Sequence, residues 1–108
     1  HDQEMDRILT LKSFLLDNPD DSFVKHALAL EYVKKGDDNQ ARQLFENILE
    51  RDENYIGSYY HLCKLLERMD DKDGAKKWYE QGLLKAKESG DNHAYNELLS
   101  AYEDFMDL

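Results

Sequence analysis

The side chains able to do chemistry are few in this chain, and their spacing speaks against a reaction. Cys63 follows His61 by two residues, which on a helix turns the pair about 200° apart, so the thiol has no base beside it. We take Cys63 as a small, soft, apolar filler of a close-packed position, with a reactive thiol as the alternative. Asp71, Asp73, Gly74 and Glu80 fall at the third, fifth, sixth and twelfth places of an EF-hand calcium loop. Met69 stands at the first place, where a carboxylate is required, and Ala75 to Lys85 reads as unbroken helix. Capping of a helix start by Asp71 or Asp73 accounts for the same carboxylates, as Asp37 and Asp38 would before an earlier helix. His1, His26, His61 and His93 form no i, i+4 pair and carry no Glu-bearing zinc motif. No catalytic residue, metal or cofactor is therefore expected, and the chain is read as no enzyme.

Helices must position whatever else the chain does. One Pro and five Gly in 108 residues, with no β-branched runs, predict helix nearly throughout. A charged fraction of 35% beside a hydrophobic fraction of 41% fits a thin, elongated structure with much surface. The net charge of −10 disfavours nucleic acid and anionic membranes, which need a clustered basic face. No apolar run approaches the length of a membrane span. The single cysteine excludes an internal disulfide framework and suits a reducing compartment, so a cytoplasmic location is expected. His1 reads as the remnant of a truncation or added sequence, with Met5 as the candidate native start.

The spacing of apolar residues predicts a first helix over 3–17, from Met5, Ile8, Leu11, Leu15 and Leu16. Pro19 ends it, and Asp21 or Ser22 caps a second helix over 22–35 that stops at Gly36. A third helix covers 38–51, a fourth 55–69 and a fifth 72–88, the last carrying Ala75, Trp78, Tyr79, Leu83 and Leu84. Gly90–Asp91–Asn92 breaks the chain before a sixth helix over 93–106. Lys76, Lys77, Lys85 and Lys87 make the fifth helix the one basic segment, read as a solvated face, with attraction to an acidic partner or to the acidic tail of another copy as the alternative.

Residues 22–55 are echoed by 56–89, 34 positions later. Leu28, Ala29 and Tyr32 recur as Leu62, Cys63 and Leu66, and Ala41, Phe45 and Leu49 recur as Ala75, Tyr79 and Leu83. Backwards, Leu11, Phe14 and Leu15 stand 34 residues before Phe45, Ile48 and Leu49, and forwards Leu98 and Tyr102 take up the roles of Leu62 and Leu66 after a slip of two. Half-repeats at 3–21 and 90–108 would thus flank two whole ones in a single domain over 1–108. The series Lys25-x2-Leu28-Ala29-x2-Tyr32…Ala41-x3-Phe45 and Tyr59-x2-Leu62-Cys63-x2-Leu66…Ala75-x3-Tyr79 resembles the tetratricopeptide repeat family. Lys25 stands where the family has an aromatic, neither unit keeps the Gly, and Pro survives only as Pro19. The logic of the pattern is steric: Ala29 or Cys63 on one helix and Ala41 or Ala75 on the next let two backbones close up.

The resemblance implies an all-α solenoid, a right-handed superhelix of about six antiparallel helices. It also implies a protein-interaction scaffold whose first helices line a concave groove for a partner peptide or helix. The face left over on the second helix is Phe23, His26, Leu30 and Val33. On the fourth helix it is Gly57, Tyr60, Lys64 and Glu67, and on the sixth His93, Asn96, Ser100 and Glu103. We expect Phe23, Leu30 and Val33 to form an apolar anchor site beside Tyr60. The family's carboxylate-binding subset uses Lys, Arg and Asn in the groove; only Lys64 and Asn96 could serve here, so that subset is not expected. A homodimer in which a second copy covers the groove is the alternative.

Overall fold

The computed structural model describes residues 3–108; His1, the expected remnant, lies outside the described residues. Six α-helices and no strand occur among the described residues: α1 Gln3–Asp17, α2 Ser22–Lys35, α3 Asp38–Arg51, α4 Gly57–Arg68, α5 Lys72–Ser89 and α6 Asn92–Met106. They gather into two compact units that divide between Asp52 and Glu53: α1 to α3 in the first, α4 to α6 in the second.

In the first unit α2 packs against both α1 and α3. Asp21, rather than Ser22, caps α2, its carboxylate accepting from the Val24 N–H at 3.1 Å. Gly36 ends that helix at φ 85°, in the left-handed region where Gly is favoured. There the Asp37 N–H returns to the Tyr32 carbonyl at 2.9 Å, the long bond of a Schellman close. Asp37 then caps α3 through the Gln40 N–H. Ala29 and Ala41 are fully buried, with Leu28, Tyr32, Phe45, Ile48 and Leu49 around them. Lys25, at the family's aromatic position, is buried too, its stem lying where a ring would. Its ammonium donates to Asn47 Oδ1 at 2.7 Å. On α1 the expected stripe divides: Ile8 is buried, Leu11 and Leu15 are half-buried, and Leu16 is 83% exposed. At about 100° per residue, Leu16 lies a quarter turn or more round α1 from Leu15, beyond what the one helix packed on that side covers.

The second unit repeats the plan, with α4 against α5 and α6 against both. Its α4 begins two residues later than the spacing predicts. Ser58 N–H bonds Tyr55 O and Tyr59 N–H bonds Ile56 O, so the entry is a tight i→i−3 turn before the α-helix proper. Cys63 and Ala75 are fully buried, and the Cys63 thiol donates to the Ala75 carbonyl at 3.9 Å. A Cβ at Gly82 would lie 2.9 Å from both Cβ and Cγ of Tyr59, so α4 and α5 close to backbone distance there. Tyr59 is fixed in turn by donating its hydroxyl to the Glu53 carbonyl at 2.6 Å. The same positions in the first unit are Lys25 and Ile48: a ring against Gly in one repeat, a thin stem against Ile in the other. The helix-end device also recurs. Asp70 takes the place of Gly36 at φ 60°, and Asp71 caps α5 by accepting from Gly74 N–H at 3.0 Å. Gly90 and Asp91 do the same before α6. Leu84, expected in the apolar stripe of α5, is 52% exposed, because the turn of the helix carries it past the edge of α4.

Candidate functional site

The residues with chemical potential are spent on structure. Burial pushes the Cys63 thiol far above its ordinary pKa, with Glu67 adding to the effect. Such a thiol is neutral and unreactive. Asp71, first suspected of a cation, has its carboxylate on the Gly74 N–H. Among the described residues no three His, Cys, Asp or Glu converge as metal ligands. Trp78 packs beside Tyr59 with ring centroids 6.1 Å apart, and the Lys77 ammonium lies 4.9 Å over its ring. Lys85 bonds Glu53 at 3.1 Å.

Within the first unit, Phe23, His26, Leu30 and Val33 share one stripe of α2, since steps of three and four residues stay on one helix face. Phe23 is 72% exposed, while His26, Leu30 and Val33 are half-buried. His26 is turned inward, its ring edge on Phe45 with centroids 5.6 Å apart. The open part of the stripe is therefore Phe23, Leu30 and Val33. Glu31, beside it, is buried, with Oε2 bonded by Arg7 at 3.2 Å and Lys34 at 3.4 Å. Its Oε1 is buried without a hydrogen-bond partner. The equivalent position in the second repeat is Leu65.

Within the second unit, Tyr60 and Lys64 of α4 line a cleft of about 240 Å³ with Glu97, Ser100, Ala101 and Asp104 of α6. Lys64 pairs with Glu67 at 3.5 Å along its own helix, and Glu67 also accepts the Tyr79 hydroxyl. Burial lowers the pKa of the neighbouring His61 imidazole, and the charge of Glu97 opposes it. Asn96 is exposed on α6 and does not line the cleft. Glu97 and Asp104 did not emerge from the repeat spacing for a geometric reason. Carrying a position forward by the period gives the equivalent face of each helix, whereas a cleft between neighbours is lined by one flank from each. The i, i+7 recurrence of two carboxylates on α6 was the signal available. No helix of the described residues is long and apolar enough to cross a membrane.

The family sequence model described as tetratricopeptide repeat matches residues 32–102. A TPR repeat-containing protein of Pseudomonas aeruginosa is 28% identical over 88 residues, covering 82% of this chain and 84% of that protein. The crystal structure of a tetratricopeptide repeat domain protein from Salinibacter ruber is 41% identical, with a TM-score of 0.77 over 82% of this chain and 98% of that one. The TPR2B domain of yeast Sti1, solved in a complex with pHsp70, shares the fold at a TM-score of 0.85 and 14% identity, covering 93% of this chain and 80% of that one. With its buried Ala and Cys contacts, its six helices and these likenesses, the chain belongs to the tetratricopeptide repeat family, whose members are generally protein-interaction modules.

Proposed function

We propose that this protein is a non-enzymatic, cytoplasmic scaffold that holds a peptide or helix of a partner protein on the open faces of α2, α4 and α6. Residues 1–108 act as one domain in this reading, with whole repeats at 22–55 and 56–89 between half-repeats. Phe23, His26, Leu30 and Val33 would supply the contacts of the first unit, and Tyr60, Lys64 and Asn96 those of the second. One observation carries it: Phe23 stands 72% exposed at the head of an apolar stripe whose helix has already filled its core positions with Leu28, Ala29 and Tyr32. A large aromatic kept in water beside half-buried aliphatics is the composition of an interface anchor. The complex of the structurally similar Sti1 domain with pHsp70 supports a protein partner as occupant.

Capture of partners from a lysate of the organism that encodes the protein tests this, followed by mass spectrometry. Phe23→Ala and Leu30→Asp, each checked for unchanged helicity and melting temperature, should lower capture by about tenfold, the scale of a lost anchor. Unchanged capture by both variants would remove the first-unit anchor. Light scattering across concentration addresses self-association: a dimer dissolved by Leu30→Asp would put a second copy on this face, and a strict monomer would exclude it.

A further inference from the structure

The cleft between α4 and α6 has a definite chemistry. α4 lines it with Tyr60 and Lys64, and α6 with Glu97, Ser100, Ala101 and Asp104. Lys64 is the only cation among the lining residues, and its charge is already met by Glu67 at 3.5 Å. No ion pair reaches Glu97 or Asp104 among the described residues. Both carboxylates are exposed on a helix that has no basic residue in its last turn. The chain as a whole carries a net charge of −10, which draws cationic partners towards it from a distance.

From this cleft we infer that the second unit binds a basic, extended segment of a partner protein carrying two Arg or Lys residues three positions apart. The inference rests on the partner-binding reading of the first-helix faces. The spacing follows from helix geometry: seven residues separate Glu97 from Asp104, which is two turns and about 10.5 Å along one stripe. A segment in the polyproline II conformation turns once every three residues and rises about 3.1 Å per residue, so side chains at i and i+3 lie on one face about 9 Å apart and meet the two carboxylates in register. A small residue between them passes over Ala101. Tyr60 adds an aromatic ring to the lining, a group that attracts a guanidinium or an apolar stem. The same arrangement disfavours a terminal carboxylate, which would face Glu97 and Asp104 with only the paired Lys64 in its favour.

The test uses fluorescein-labelled dodecapeptides blocked at both ends, read by anisotropy against the full chain. One has Arg-Ala-Ala-Arg at its centre, one has Glu-Ala-Ala-Glu there, and one is neutral and leucine-rich. The Arg peptide should bind, with affinity falling severalfold as salt rises from about 0.05 M to about 0.2 M. Glu97→Gln with Asp104→Asn should weaken it about tenfold, from two exposed pairs each worth several-fold. Lys64→Met should strengthen it, and moving the two Arg residues to adjacent positions should weaken it. Binding that is indifferent to the Glu97→Gln, Asp104→Asn pair would reduce the effect to bulk attraction by an acidic chain and overturn the site. Preference for the Glu peptide would overturn it as well. Should only the neutral peptide bind, and do so through Phe23, the inference falls while the interaction reading stands. Should none bind and lysate capture ignore Phe23→Ala, both fall.

Discussion

Gly82→Ala should destabilise this protein, although replacing Gly by Ala inside a helix ordinarily stabilises it by about 1 kcal/mol. The new Cβ would lie 2.9 Å from both Cβ and Cγ of Tyr59, well inside the roughly 3.5–4.0 Å of a comfortable carbon contact. Those atoms sit next to the α4 backbone, so a rotamer change cannot relieve them. The ring end is held by the Tyr59 hydroxyl on the Glu53 carbonyl at 2.6 Å, and the side chain is fully buried. Overpacking of this kind costs about 2–3 kcal/mol. Against the propensity gain, the net loss is about 1–2 kcal/mol, or a fall in melting temperature of roughly 4–10 °C. Gly57→Ala is the matched control, since an added Cβ there meets nothing within 4 Å. It should be neutral or raise the melting temperature slightly. Thermal melts followed by far-ultraviolet circular dichroism decide the matter. If both variants gain stability alike, the close approach of α4 and α5 at Gly82 is refuted, and with it the steric account of the repeat.

Two further outcomes follow from the caps and the buried acids. Asp70 holds a left-handed conformation at φ 60° where the ends of α2 and α5 use Gly36 and Gly90, so Asp70→Gly should gain about 0.5–1 kcal/mol in chemical denaturation. Burial raises the pKa of Cys63 and of Tyr79, the latter helped by its hydrogen bond to Glu67. Above roughly pH 9 the unfolded chain loses protons that the folded chain keeps, so stability falls as pH rises, by about 1.4 kcal/mol per pH unit for each group titrating only when unfolded. Denaturation midpoints at several alkaline pH values should show that slope, and Tyr79→Phe with Cys63→Ala should flatten it.

Much of the fold is legible in the sequence because its repeat is enforced by sterics. Ala29, Ala41, Cys63 and Ala75 stand where helices must close up, and all four are fully buried. The ends of α2, α4 and α5 follow because each carries a Gly–Asp or Asp–Asp pair, whose conformation and capping are local properties. Lys25 and Glu31 were not legible as buried residues. Charged side chains at core positions depend on partners far along the chain, Asn47 for the one and Arg7 for the other. The exposed Leu16 and Leu84 likewise sit on helix edges that periodicity alone assigns to the core. Phe23, Leu30, Val33, Tyr60 and Lys64 could be named from the face left over on each first helix. The α6 wall of the cleft, Glu97 and Asp104, required the actual pairing of α4 with α6.

Nuclear magnetic resonance mapping on the isotope-labelled chain, titrated with a partner segment recovered by capture, tests the interaction account most directly. The account predicts amide shifts concentrated along Phe23 to Val33, Tyr60 to Lys64 and the Glu97 to Asp104 flank, with α3 and α5 little changed. Shifts confined to α1, α3 or α5 would contradict it.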